Sequence, residues 1–429
     1  MTAAQSPTYA SDQSQSGARA VGFCISLIIF LIFSQAWVFP LLGDKGDPSA
    51  SGLVRNLFFP AYGLGIILLA TSMTRSTLAA LRQPFLLALM AIIGASIFWS
   101  VSPDQTERRV IAIFATTLCS IVIVSRRTWA EVTELFATGY AVLVILCFAF
   151  AILIPSLGVM HELFPGAWRG VWPEKNQLGD NMSMGFCIFL AAAVFRPKRW
   201  ALWLGFAGLA AVLILMSQSK TSLVAAFLGL STLTFVIIIR RGPVIATAFT
   251  WMAVVVLGSM AGLVLFAPEF FFSLLGKDAT FTGRTKIWEP ILRQIAQRPW
   301  TGYGYGAVWT DLDRWAPLAK ITKDAGFRAQ HAHNAWLEQW LGLGIPGLVA
   351  FVLMQIQFLV SAIVAAYRGI GAVLALPFFL CYTLMCITES VAVLYNDFRW
   401  VMFTAIAVKL AWPDWRATDD PERLQFGSV

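Results

Sequence analysis

About twelve apolar runs recur along the whole chain, most of them 18 residues or longer: 21–42, 53–73, 84–101, 110–125, 136–157, 181–196, 200–217, 221–239, 243–266, 345–367, 369–389 and 395–412. An α-helix rises about 1.5 Å per residue, so about 20 apolar residues cross the roughly 30 Å hydrocarbon core of a bilayer. Composition agrees: 58% of residues are hydrophobic, 13% are charged, and the mean hydropathy is +0.72. A soluble domain of 429 residues could not hide that much apolar surface. The expected fold is therefore an all-α integral membrane protein with about 12 transmembrane helices over 21–412. The Ser/Gln/Ala-rich residues 1–20 are expected to be disordered on composition. Their length, and the lack of a small-residue cleavage site after the first run, argue against a cleavable signal.

Orientation follows from Lys and Arg in the short connections. Alternate connections carry Arg75 and Arg82, Arg126 and Arg127, Arg196, Lys198 and Arg199, Arg240 and Arg241, and Arg368. With Arg19 before the first run and Arg416 and Arg423 after the last, these mark the cytoplasmic side. Both termini are then cytoplasmic, including the tail 413–429. The long interval 267–336, between spans 9 and 10, is extracytoplasmic. The net charge of +8 thus reports topology and basic outer loops, and nucleic acid is not expected as a partner. All six cysteines fall inside apolar runs, which suits small buried side chains and gives no disulfide framework.

The long interval concentrates polar chemistry. Nine of the 31 Lys and Arg residues and two of the three histidines lie in it. Ile287, Trp288, Ile291, Leu292 and Ile295 fall on one helical face, with Lys286, Glu289 and Arg293 off it. This predicts an amphipathic helix on or near the membrane, with Pro290 kinking it or sitting in its first turn. Gly302, Gly304 and Gly306 predict a flexible turn with Tyr303 and Tyr305 exposed. The stretch 336–347 predicts a short helix leading into the next span.

His333 stands at the edge of that span, beside Asn334 and before Glu338. Imidazole is the usual side chain for moving a proton near neutral pH, against the plain alternative of a surface histidine with no role. His331 would point elsewhere on a helix and is secondary. The His331-x-His333 spacing suits metal ligands on a loop. No further His or Cys lies in the long interval to complete a zinc site, although Asp324 or Glu338 could add to a weaker one. No metal and no other cofactor are expected. Arg284 offers a planar fork that matches phosphate oxygens, where the plain alternative is an interfacial arginine that snorkels. Lys220 sits in a short outer turn at the depth of a lipid diphosphate headgroup, and Lys175 with Asn176 forms a third polar cluster on that face. Arg55, Glu389 and Lys409 lie near span ends, where they snorkel, pair, or mark a path.

Lys175-Asn176-x-Leu178-Gly179, Ser219-Lys220-Thr221, Gly283-Arg284-Thr285-x-Ile287-Trp288, Gly302-x-Gly304-x-Gly306, His333-Asn334-x-x-Leu337-Glu338 and Gly344-x-x-Gly347 occur in this order. In order and spacing they resemble the O-antigen ligase and polymerase superfamily, which includes exopolysaccharide polymerases of the succinoglycan type. The resemblance implies a bacterial inner-membrane glycosyltransferase with a periplasmic active face. It would take a polyprenyl-diphosphate-linked oligosaccharide as donor and a glycan as acceptor. Membrane lipids, a chain-length regulator and export proteins would be its partners. By the same resemblance His333 matches an essential histidine and Arg284 an essential arginine. Lys220 stands where the family has a second arginine, so either the diphosphate is held more loosely there or another cation such as Arg328 shares it, with Asn334 also at the substrate. Polymerase and ligase both remain open, and a polytopic transporter or flippase is the reading from another class. A membrane scaffold without chemistry is a further one.

Overall fold

The computed structural model describes residues 7–42, 52–162, 164–266, 285–309, 316–328 and 330–411. Among them every regular element is helical, and each of the twelve apolar runs is helical for most of its length. The main helices are α1 (Pro7–Phe33), α2 (Phe59–Leu81), α3 (Pro84–Ala95), α4 (Pro103–Val124), α5 (Trp129–Leu153), α6 (Lys175–Phe195) and α7 (Trp200–Met216). They continue with α8 (Lys220–Ile239), α9 (Pro243–Phe266), α10 (Thr285–Gln297), α11 (Pro317–Ala325), α12 (Ala335–Arg368), α13 (Ala372–Thr388) and α14 (Phe398–Ala411). Among the described residues, six segments are long and apolar enough to cross a membrane: Val54–Leu81, Trp129–Leu153, Lys175–Phe195, Pro197–Met216, Lys220–Ile239 and Ala335–Arg368.

α1 begins at Pro7, so residues 7–20 are helical where composition suggested disorder. Proline suits a first helical turn, and a single glycine interrupts the Ala, Ser and Gln residues that follow. Many large apolar side chains point out of the fold, among them Ile66, Phe227, Val244 and Val255. In water such a surface would aggregate; on a helix of a membrane protein it is the lipid-facing side.

The chain divides into two compact units. The first comprises residues 1–79, 115–219 and 396–409. Its centre is aromatic: Phe30 lies 5.5 Å from Phe136 and 5.5 Å from Phe398, ring centroid to ring centroid. A polar knot adds to it, with Asn396 N–H donating to Thr116 at 2.9 Å and Arg399 paired with Asp397. Lys409, expected near a span end, is buried in this unit.

The second unit comprises 80–114, 220–395 and 410–429. Here α8 packs on α13, and α12 packs on both α3 and α13. α12 is broken at Gly344, whose φ of 68° is closed to most L-residues. The break divides a short leading helix from the long span, as the glycines and Pro346 predict. A Cβ at Gly344 would lie 2.1 Å from Trp300 O, so only glycine fits where the two segments meet.

Candidate functional site

The second unit builds its site on a small protein-like core. The apolar side chains of α10, Ile287, Ile291 and Ile295, recur every fourth residue and are buried. They meet Tyr303, Val308, Ile321, Ala332 and Leu341, with Trp309, Leu337 and Trp340 around them. The expected face is thus covered by protein, and Leu292, expected on it, is 47% exposed. Helical periodicity shows that a face is buried but not what buries it. Pro290 sits inside α10 without ending it. Outside the core, Arg293 pairs with Glu289 at 3.1 Å and Asp324 at 3.5 Å.

The Gly302–Gly306 segment also differs from expectation. Tyr303 and Tyr305 are buried, and the glycines form a tight ladder. Tyr303 N–H donates to Leu341 O at 3.0 Å, and Gly304 N–H to Gly342 O at 2.9 Å. From the other side, Val101 N–H donates to Tyr303 O at 3.0 Å and Arg109 donates to Gly306 O. A Cβ at Gly304, where φ is 101°, would lie 2.4 Å from Ser100 Oγ. Tyr303 OH donates to Gln294 O at 3.0 Å, and Tyr305 OH to Val393 O at 2.6 Å. Burial pushes both phenols above their ordinary range, so they stay neutral donors. Aromatic residues between glycines read as an exposed turn, yet each of these hydroxyls has a partner that lets it go inside.

The ladder and the core together fix residues 331–334. Glu338 carries a buried carboxylate that accepts from Ala332 N–H at 3.0 Å, from Ser390 Oγ at 3.1 Å and from the Trp309 indole N–H. The Trp288 indole N–H donates to Ala332 O at 3.0 Å. Both backbone polar groups of Ala332 are therefore held, and its side chain is fully buried. Next to it His333 has φ 50°, an uncommon conformation for a residue with a side chain. Asn334, expected at the substrate, caps α12. Its Oδ1 accepts from Trp336 N–H at 2.9 Å and Leu337 N–H at 3.0 Å, and its Nδ2 donates to Ile387 O at 3.3 Å.

His333 faces Glu389, the residue that follows α13, with Nδ1 to Oε2 at 2.8 Å. Their side chains are 29% and 15% exposed, so the pair is sheltered but reachable. An ionised carboxylate only accepts, so the ring proton sits on Nδ1 and the Nε2 lone pair is left for chemistry. His331, expected to point elsewhere, has its ring centroid 4.0 Å from that of His333. Glu389 was visible in the sequence only as a carboxylate at a span end. Its partner lies 56 residues earlier, and no spacing rule links them.

The other expected residues lie on separate elements. Lys220 is exposed at the start of α8, and Arg328 is exposed after α11. Lys175 and Asn176 open α6 in the first unit. The Lys175 ammonium lies 3.9 Å from the centre of the Phe164 ring and donates to Gln218 O at 3.4 Å. Arg284 lies outside the described residues.

A polytopic helical chain with a histidine–carboxylate pair held by an ordered loop is the class that these features define. Residues 205–352 match the O-antigen ligase family, a segment that includes Lys220, Arg284, Arg328 and His333 but not Lys175, Asn176 or Glu389. The exopolysaccharide production protein ExoQ of Rhizobium meliloti (strain 1021) is 28% identical over 277 residues. That match spans 61% of this chain and 61% of the relative's length. Both comparisons support the resemblance to the O-antigen ligase and polymerase superfamily that the motifs carry.

Proposed function

We propose that this chain is a membrane glycosyltransferase of the O-antigen ligase and polymerase type. It joins polyprenyl-diphosphate-linked oligosaccharide repeats on the extracytoplasmic face of the bacterial inner membrane. The observation that carries the reading is the 2.8 Å contact of His333 Nδ1 with Glu389. In this topology about twelve spans over 21–412 leave both termini cytoplasmic and present the interval 267–336 to the periplasm.

Polyprenyl diphosphate is already a good leaving group, so the task is to position the acceptor hydroxyl and neutralise the departing charge. His333 Nε2 takes the hydroxyl proton while the sugar oxygen attacks the anomeric carbon. The imidazolium that forms keeps its Nδ1–H on the Glu389 carboxylate, which stabilises the new charge and holds the ring in one orientation. Arg284 and Lys220 bind the diphosphate oxygens as the sugar–phosphate bond breaks, and Arg328 adds positive charge. Lysine at 220 supplies charge without the bidentate fork of arginine. Lys175 and Asn176 contact the glycan, and Asn334 acts through the cap that sets the His333 backbone. One-step displacement inverts the anomeric centre, and the scheme requires no nucleotide or metal. A polymerase is preferred over a ligase because the relative matched over most of this chain is an exopolysaccharide production protein.

Purified protein given a polyprenyl-diphosphate-linked oligosaccharide should yield products longer by whole repeats. Transfer only to a lipid A core acceptor would make it a ligase. Flux across proteoliposomes without any change in glycan length would make it a transporter. Arg284→Lys should cut transfer by at least about 10²-fold, the scale of losing an oriented donor to developing charge; full activity would argue against a diphosphate clamp.

A further inference from the structure

Proton transfer needs His333 and Glu389 but gives no role to His331, whose ring is nevertheless brought against His333. We propose that His331, His333 and Glu389 form a binding site for a zinc-class divalent cation that switches the enzyme off. The switching part rests on His333 being the base; the site itself does not.

The geometry starts at Ala332. Its side chain is buried in the core, its N–H is held by Glu338 and its C=O by Trp288. With Ala332 turned inward, the two flanking imidazoles emerge together. The His333 N–H donates to His331 Nδ1 at 3.3 Å, so that nitrogen carries no proton, and a cation bound there takes the place of this hydrogen bond. Glu389 closes the third side, its backbone N–H fixed by Met385 O at 2.7 Å. One donor atom from each of the three residues lies within 4.8 Å of the others. Around a tetrahedral zinc with bonds of about 2.1 Å, ligand atoms stand about 3.4 Å apart. Contraction of the widest separation by at most about 1.4 Å, with the His333–Glu389 contact opening slightly, therefore completes the set.

Two imidazoles and one carboxylate are a donor set for zinc and its neighbours, and not for the oxygen-seeking magnesium or calcium. Sequence spacing offered only Glu338 or Asp324 as a third ligand. Glu338 is instead occupied by three donors, and Glu389 supplies the carboxylate. Coordination has a definite chemical consequence. The cation bonds to His333 Nδ1, between the ring and Glu389, and the ring proton moves to Nε2. No proton is gained or lost overall. A neutral imidazole with metal on Nδ1 and hydrogen on Nε2 has no lone pair left to accept the proton of a sugar hydroxyl, so transfer stops.

The test uses the purified full-length chain in nanodiscs and Zn²⁺ as probe. Calorimetry should show one zinc bound per wild-type chain, and His331→Ala should weaken it by about 10- to 100-fold, the usual loss when a metal site is disturbed. In the glycan transfer assay, zinc should inhibit the wild type and EDTA should restore it. His331→Ala should keep its basal rate and need correspondingly more zinc for inhibition. Equal zinc affinity in wild type and His331→Ala overturns the site. Undiminished transfer with zinc bound, or a rate that falls when EDTA removes it, overturns the switch. Failure of the base assignment would show separately, as transfer by His333→Ala in the absence of zinc.

Discussion

Around Phe30 the first unit is fastened by rings: Phe136, Tyr140 and Phe398 stand at 5.5 to 5.9 Å from it or from one another. Around Ala332 the second unit is fastened by directed hydrogen bonds from Glu338, Trp288 and the glycine ladder. Ring packing gains its strength mainly by area and number of contacts and is less directional than a hydrogen bond. It orders a bundle without fixing any one atom. Hydrogen bonds to backbone groups fix individual atoms to within a few tenths of an ångström, and a base acting at hydrogen-bond distance needs that. The difference explains why the His333–Glu389 pair sits at the ends of apolar segments, where the chain turns to hydrogen-bonded loops.

The sharpest way to break this comparison is Gly304→Val. The ladder has no room for a side chain and φ is positive, so the variant should yield almost no monodisperse protein on extraction, read by size-exclusion chromatography. Ile291→Ala comes next. It removes a fully buried side chain from the core under His333 and should cost about 2–5 kcal/mol in thermal unfolding. Glu338→Gln replaces one acceptor oxygen by an NH2 group, which only donates. It leaves at least one of the three donors unmatched, for about 1–3 kcal/mol. Proteolysis should then accelerate around 331–334 ahead of the rest. Smallest is Leu292→Ala, expected within about 0.5 kcal/mol of wild type because the side chain is outside the core. If Leu292→Ala costs as much as Ile291→Ala, the packing of α10 described above is wrong.

The helices were legible because lipid tolerates so few backbone solutions: an apolar run of sufficient length has to close its own hydrogen bonds. His333 was legible because imidazole chemistry is restricted to few residues, and it lies in the segment matched to the O-antigen ligase family. Glu389 had no such signal, being joined to His333 by the packing of α12 and α13 alone. Tyr303 and Tyr305 misled because their buried hydroxyl partners, Gln294 O and Val393 O, are main-chain atoms that no side-chain pattern announces. Leu292 misled because a stripe wide enough for lipid contact also fits a narrower protein core. Asn334, expected at the substrate, also caps α12, a role open to any asparagine just before a helix.

The central claim is that His333 is the base that takes the acceptor proton. It is tested most directly by single-turnover transfer with saturating lipid-linked donor and acceptor, comparing purified wild type with His333→Ala in nanodiscs. The expected result is a fall of about 10²- to 10⁴-fold in the transfer step with donor binding unchanged, the usual contribution of a positioned acid–base group. A His333→Ala chain that extends glycan at the wild-type rate would contradict it.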